Sequence, residues 1–223
     1  MKYDKNLLQN MHGNSELIPK QLYKEKIMTI GDISIINQKL MGGGMSQNWL
    51  AIPWFEYYFD AHNFEYMVEI GSQKGSLSVY LANYAAVTEK MFFETYELFP
   101  QDTWYKREHE GCGHWYEKLT EISPYINFSQ EDIFSEPARK HITENVADFK
   151  TFIFCDGGDK AREFNMYAPL LKSGDCIAVH DWGEEIFWPE IQATLDKHNL
   201  VPDEPFATSA QELQTWIMPF VKR

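Results

Sequence analysis

The sequence predicts an α/β fold built on a mostly parallel sheet with helices on both faces. Two observations predict it. Short, continuously apolar runs of strand length recur from Tyr66 onward, and segments with helical spacing separate them. Strands buried on both faces read as such runs, and parallel neighbours need a helical crossover between them.

The elements follow in order. Residues 1–45 are irregular and read as an N-terminal arm or lid. Within them Ile27–Ile30 and Ile33–Ile36 are short strands around Gly31-Asp32, or parts of the arm. Gly42-Gly43-Gly44 is a flexible break before the main domain, residues 46–223. Ser46 is a candidate N-cap for a helix running to His62, with Trp49, Ile52, Trp54, Phe55, Tyr58 and Phe59 on its apolar face. Pro53 must then lie near the first turn or make a kink.

Strands are expected at Tyr66–Ile70, Lys90–Tyr96, Ile126–Phe128, Phe152–Cys155, Cys176–Val179 and Thr215–Val221. Pro219 argues that the last of these is near an edge or bulged. Helices are expected over Ser76–Ala86, His114–Ile122, Pro137–Asn145, Ala161–Leu171 and Glu190–His198.

Composition narrows the function. The chain has 223 residues, 44% of them hydrophobic, enough for one well-buried domain with an appended lid. Its formal net charge of −13 has no basic block to offset it, which argues against a nucleic-acid partner. No apolar stretch approaches the roughly 20 residues that span a bilayer. The residues after Met1 lack the apolar core of a signal peptide, so a cytoplasmic protein with no membrane partner is expected. Three cysteines at irregular spacing give no disulfide framework, and Cys155 and Cys176 lie within apolar runs.

Ligands bind such sheets beyond the carboxyl ends of the strands, so the residues there carry the functional reading. The first strand ends in Glu69-Ile70-Gly71-Ser72-Gln73-Lys74-Gly75. Gly71 allows a sharp turn, Gly75 a close approach of the next helix, and that helix presents N–H groups to a ligand. The spacing is not the G-x-G-x-x-G of nicotinamide-binding proteins. Glu97 follows the second strand and suits ribose hydroxyls, with Glu94 its competitor inside the apolar run. Ser129, Gln130 and Asp132 follow the third, suited to an adenine edge. Asp156-Gly157-Gly158-Asp159-Lys160 follows the fourth and His180-Asp181-Trp182 the fifth. Asp156, His180 and Asp181 therefore converge. They suit a divalent metal that orients a hydroxyl, or a metal-free site with His180 as general base.

Together these residues resemble the class I S-adenosylmethionine-dependent methyltransferases over roughly residues 66–182. Thr95-Tyr96-Glu97-Leu98-Phe99-Pro100 is similar to the second motif of the catechol-type O-methyltransferases. The stretch from Asp156 through Tyr167-Ala168-Pro169-Leu170-Leu171 to Val179-His180-Asp181 resembles the sugar O-methyltransferase and cephalosporin hydroxylase group. The resemblance implies a Rossmann-like, doubly wound, seven-stranded sheet with an antiparallel last strand. It implies S-adenosylmethionine held by Glu69, Gly71, Ser72, Gln73, Gly75, Glu97, Ser129, Asp132 and Asp156. It implies methyl transfer to a small-molecule hydroxyl acceptor, a sugar or secondary metabolite, with catalytic Asp156, His180 and Asp181 and with His180 or Asp156 as base. It extends to Mg²⁺ on Asp156 and Asp181, although Asp159 and His180 stand where relatives often have a histidine and an acid. A non-catalytic or other nucleotide-binding protein of the same fold is the alternative, and a homo-oligomer stays open.

Three further features stand out. Glu108, His109, Cys112 and His114 form a mixed cluster in the long, aromatic-rich stretch 101–115, read as a loop near the substrate rather than a zinc site. Trp182 and Trp188 either wall a substrate pocket or pack in the core.

Overall fold

A computed structural model describes residues 48, 50–72, 75–98 and 126–223. The N-terminal arm, Ser46, the loop 101–115 with its mixed cluster and the helix expected over His114–Ile122 lie outside the described residues.

The described chain opens with α1, Ala51–His62. Its buried residues Ala51, Ile52, Trp54, Phe55, Tyr58 and Phe59 recur at helical spacing and make one wide apolar face. Pro53 sits in the first turn, where its missing N–H costs no helical bond, and Asn63 ends the helix in the left-handed region at φ 55°. Then follow β1 (Tyr66–Ile70), α2 (Ser76–Thr88), β2 (Phe92–Tyr96), β3 (Ile126–Ser129), α3 (Glu136–Asp148), β4 (Thr151–Cys155) and α4 (Lys160–Tyr167). A single 3₁₀ turn, Ala168–Leu170, precedes β5 (Cys176–Val179), α5 (Trp188–His198), β6 (Leu200–Pro202), α6 (Phe206–Glu212) and β7 (Met218–Lys222). The helix expected to run to Leu171 thus stops at Tyr167, just before Pro169, whose ring cannot continue the ladder.

The seven strands lie in the order β3-β2-β1-β4-β5-β7-β6. The pairs from β3 to β5 are parallel, and β7 runs antiparallel to both β5 and β6. This is the doubly wound sheet with an antiparallel last strand. The chain moves outward from β1 through β2 to β3, returns to the other side of β1 as β4, and moves outward again. The order therefore reverses between β1 and β4, and a crevice opens there at the carboxyl ends.

The last strand does lie near an edge, with only the short β6 outside it. Pro219 is tolerated for a local reason. Its carbonyl accepts from the Asp203 N–H (3.0 Å), so its missing donor faces the side on which β6 has already ended at Pro202. The strand β6 and the short α6 escape a reading by periodicity, since three and seven residues are too few to show a period.

Each face of the sheet carries its own core. On one side α1, α2 and α6 pack over Met67, Phe93, Phe152, Phe154, Cys176 and Ala178. On the other α3, α4 and α5 pack over Val68, Ile70, Ile153, Cys155, Ile177 and Val179. Successive residues of a strand face opposite sides, so fully apolar strands fill both cores at once. The first core is strongly aromatic: Phe55 meets Phe154 edge-on at 5.4 Å between ring centroids, and Trp54 stacks on Tyr58 at 4.8 Å.

Candidate active site

Parallel register brings the strand ends level. Ile70 pairs with Tyr96 on one side and Cys155 on the other. The hydrogen bonds continue one residue further: Gly71 N–H donates to Tyr96 O (2.9 Å), Glu97 N–H to Ser129 O (3.0 Å), Asp156 N–H to Ile70 O (2.9 Å) and His180 N–H to Cys155 O (3.0 Å). Gly71, Glu97, Ser129, Asp156 and His180 therefore stand along one edge of the sheet, as the sequence predicts.

Gly71 is held at φ +91°, and a Cβ there would come within 2.4 Å of the backbone oxygen of Asp156. Only glycine meets both demands. The loop leaving β1 thus lies directly on the residue that follows β4. Gly75 is also left-handed, at φ 77°, forms the N-cap of α2, and donates its N–H to Ser72 O (2.7 Å). Ser72 is buried, with its Oγ 2.5 Å from Thr95 Oγ1. Gln73 lies outside the described residues.

Glu69 lies beneath the loop. It is buried, and its Oε2 accepts from Ser78 Oγ (2.5 Å) and Thr95 Oγ1 (2.6 Å). The carboxyl ties β1 to β2 and α2, so it shapes the cofactor loop from beneath. Burial pushes it up to about 8; the hydroxyl bonds oppose this, and the nearby Asp156 and Glu97 charges add to it.

Glu97 and Glu94 separate cleanly. Glu94 is fully buried and accepts from Asn127 Nδ2 (2.8 Å) and the Tyr66 hydroxyl, with His141 Nε2 at 2.8 Å. It belongs to a structural network under α3. Glu97 is half-buried at the strand end, which leaves it as the acid beside the crevice. Asp132 is exposed and its Oδ1 accepts from Phe134 N–H (2.9 Å), shaping the turn into α3.

The acidic residues after β4 and β5 converge on one imidazole. His180 Nδ1 lies 2.9 Å from Asp156 Oδ1 and 3.2 Å from Asp181 Oδ1. Burial opposes the charged ring, but these two carboxylates outweigh it and raise His180 to about 9. In this state the ring donates to the acids, and the imidazole holds its proton. Asp181 is held at φ 54°, and its carboxyl is pulled far below the usual range by His180, then by Lys160.

Sequence reading passes over two residues here. Lys160 is buried, with Nζ at 2.9 Å from Asp181 Oδ2, 2.6 Å from Glu185 Oε2 and 3.1 Å from Gly157 O. Glu163 is buried one turn further along α4 and accepts from the N–H groups of Gly157 (3.2 Å) and Asp159 (3.3 Å). Its Oε1 lies where a Gly157 Cβ would be, at 2.1 Å, so the glycine makes room for the clamp. The pair Gly157 and Glu163 was the available signal, but one glycine and one acid six residues on are too common to read alone. Trp182 and Trp188 meet edge-on at 6.1 Å and both pack on Phe220, which joins them to the core.

The ligand atoms of Asp156, His180 and Asp181 lie within 4.8 Å of one another. Two carboxylates and an imidazole are a donor set that a divalent ion accepts, and the nitrogen suits a transition ion better than Mg²⁺.

No family model matches the chain, and no curated protein matches it by sequence. Solved structures do match by fold. CmcI in its apo form is similar at a TM-score of 0.57 and 13% identity, covering 80% of this chain and 74% of that one. A second CmcI structure, described with Mg and SAM, matches at 0.54 and 14%, covering 79% and 73%. A putative caffeoyl-CoA O-methyltransferase from Staphylococcus aureus matches at 0.50 and 11%, covering 92% of this chain and all (100%) of that one. The chain has the Rossmann-like fold of these structures.

Proposed function

We propose that this chain is an S-adenosylmethionine-dependent methyltransferase acting on an oxygen of a small hydroxylated acceptor, a sugar or secondary metabolite. The observation that carries the proposal is the contact of Gly71 with Asp156 across the switch point. It joins a loop whose first residue has no side chain, suited to close approach of a cofactor, to the acidic site where an acceptor would be deprotonated.

When bound, the sulfonium supplies an activated methyl group. The chain's own residues then do the rest. Gly71, Ser72 and Gly75 shape the loop that receives the amino-acid part, and Glu97 accepts from the ribose hydroxyls. Asp156 would take the acceptor's hydroxyl proton, its carboxylate fixed by His180. With a divalent ion bound instead, His180 would give up its ring proton, and Asp156, His180 and Asp181 would hold the ion, which would orient and acidify the hydroxyl.

Calorimetric titration with S-adenosylhomocysteine tests the reading, and the absence of binding to the folded protein would refute it. Glu97→Ala should weaken binding by roughly 10–100-fold, the loss of charged hydrogen bonds to a ribose. Undiminished affinity would overturn the ribose assignment alone.

A further inference from the structure

At the opposite end of the sheet a second group of ligand-type side chains comes together from three elements. His62 is the last residue of α1, Cys176 the first of β5, and Asp203 follows β6. Their ligand atoms lie within 4.8 Å of one another. Cys176 Sγ is 3.7 Å from Asp203 Oδ2 and 3.9 Å from His62 Nδ1. His62 Nε2 is buried and 2.9 Å from Asp203 Oδ2, an ion-pair contact that does not meet hydrogen-bond geometry, so the imidazole's donor capacity is imperfectly used there.

We propose that His62, Cys176 and Asp203 bind a zinc-like divalent ion. Thiolate, imidazole and carboxylate are the ligand types zinc takes, and a three-ligand site keeps its fourth position open. Tetrahedral zinc sets its ligand atoms about 3.4–3.6 Å apart. The Cys176–Asp203 separation, 3.7 Å, is within a few tenths of that; Cys176 faces the imidazole at Nδ1 (3.9 Å) and Asp203 faces it at Nε2 (2.9 Å), so the ion takes one ring nitrogen and the partner facing the other shifts toward it. The surroundings also suit a metal. The Tyr58 hydroxyl donates to Asp203 Oδ2 (2.9 Å), the outer bond that orients a ligating carboxylate. The His62 ring is stacked on Phe64 at 5.1 Å and flanked by Tyr58 and Phe206, so its orientation is fixed before binding. Cys176 and Asp203 are buried and the His62 side chain is largely so, which shields the ion from bulk water. Binding displaces the Cys176 proton, and the resulting Zn–S bond pins α1 to β5 and to the segment before α6.

Cobalt(II) reports a thiolate ligand by a charge-transfer band in the near ultraviolet. Chelator-stripped protein titrated with Co²⁺ should develop that band, and added Zn²⁺ should abolish it and raise the melting temperature. The band should vanish in Cys176→Ala and persist in Asp156→Asn, which separates this site from the acidic cluster. A folded wild-type protein with no band overturns the proposal, as does a band that survives Cys176→Ala. Should Cys176→Ala fail to fold, His62→Gln decides: at least tenfold weaker Co²⁺ binding is expected, and unchanged binding refutes the site.

Discussion

Gly71 fixes the geometry of the whole site from one position. Its φ of +91° is strained for any L side chain, and the Asp156 backbone fills the space a Cβ would need. Backbone cannot swing aside as a flexible side chain can. Gly71→Ala should therefore destabilise the fold by about 2–4 kcal/mol and lower S-adenosylhomocysteine affinity as well, read by urea unfolding and titration. A wild-type unfolding midpoint would show that the loop relaxes freely. This residue was legible, because a glycine after an apolar run signals a turn out of a strand. The clamp that Glu163 places on the following loop was not, since its meaning arises only when α4 folds back over Gly157.

The elements are stitched together by buried polar groups that no periodicity reveals. Glu94 is the central case, linking β1 through Tyr66, β3 through Asn127 and α3 through His141. Burial alone would raise its pKa, but the His141 bond and charge, with Tyr66 and Asn127, bring it below the ordinary value. A carboxyl depressed on folding adds stability that is complete above its unfolded pKa and lost as pH falls through the folded one. Glu94→Gln should cost about 1–3 kcal/mol at neutral pH and leave a shallower loss of stability on acidification. Parallel pH–stability curves for variant and wild type would remove Glu94 from the acid transition. The sequence shows Glu94 only as an acid inside an apolar run. That sufficed to prefer Glu97 for the ligand, but the partners of Glu94 come from 28 to 47 residues away. The central strands were read correctly because burial on both faces leaves an unbroken apolar run. The short β6, with Pro202 in it, has no such signature.

At the scale of the molecule, legibility followed the topology. Strand ends could be aligned from the sequence because a parallel sheet levels them, so Glu97, Asp156, His180 and Asp181 were placed before any distance was known. The aromatic packing of one face and the grouping of His62, Cys176 and Asp203 needed the α1 and α6 layer, which spacing does not locate.

The reversal of strand order divides the sheet into two halves whose strands join at the pairing of β1 with β4, and helix packing and side-chain bonds reinforce that seam. One half, ending with β3, supplies Gly71, Ser72 and Glu97; the other, beginning with α3, supplies Asp156, His180 and Asp181. A guest lodged in the crevice touches both, so it acts as a rivet across the seam. S-adenosylhomocysteine should then slow amide hydrogen exchange in β1 and β4 together, while leaving distant β6 unchanged. Protection confined to one half would mean that the guest sits to one side. What the sheet gives up in continuity at the switch point, such a guest would restore from outside.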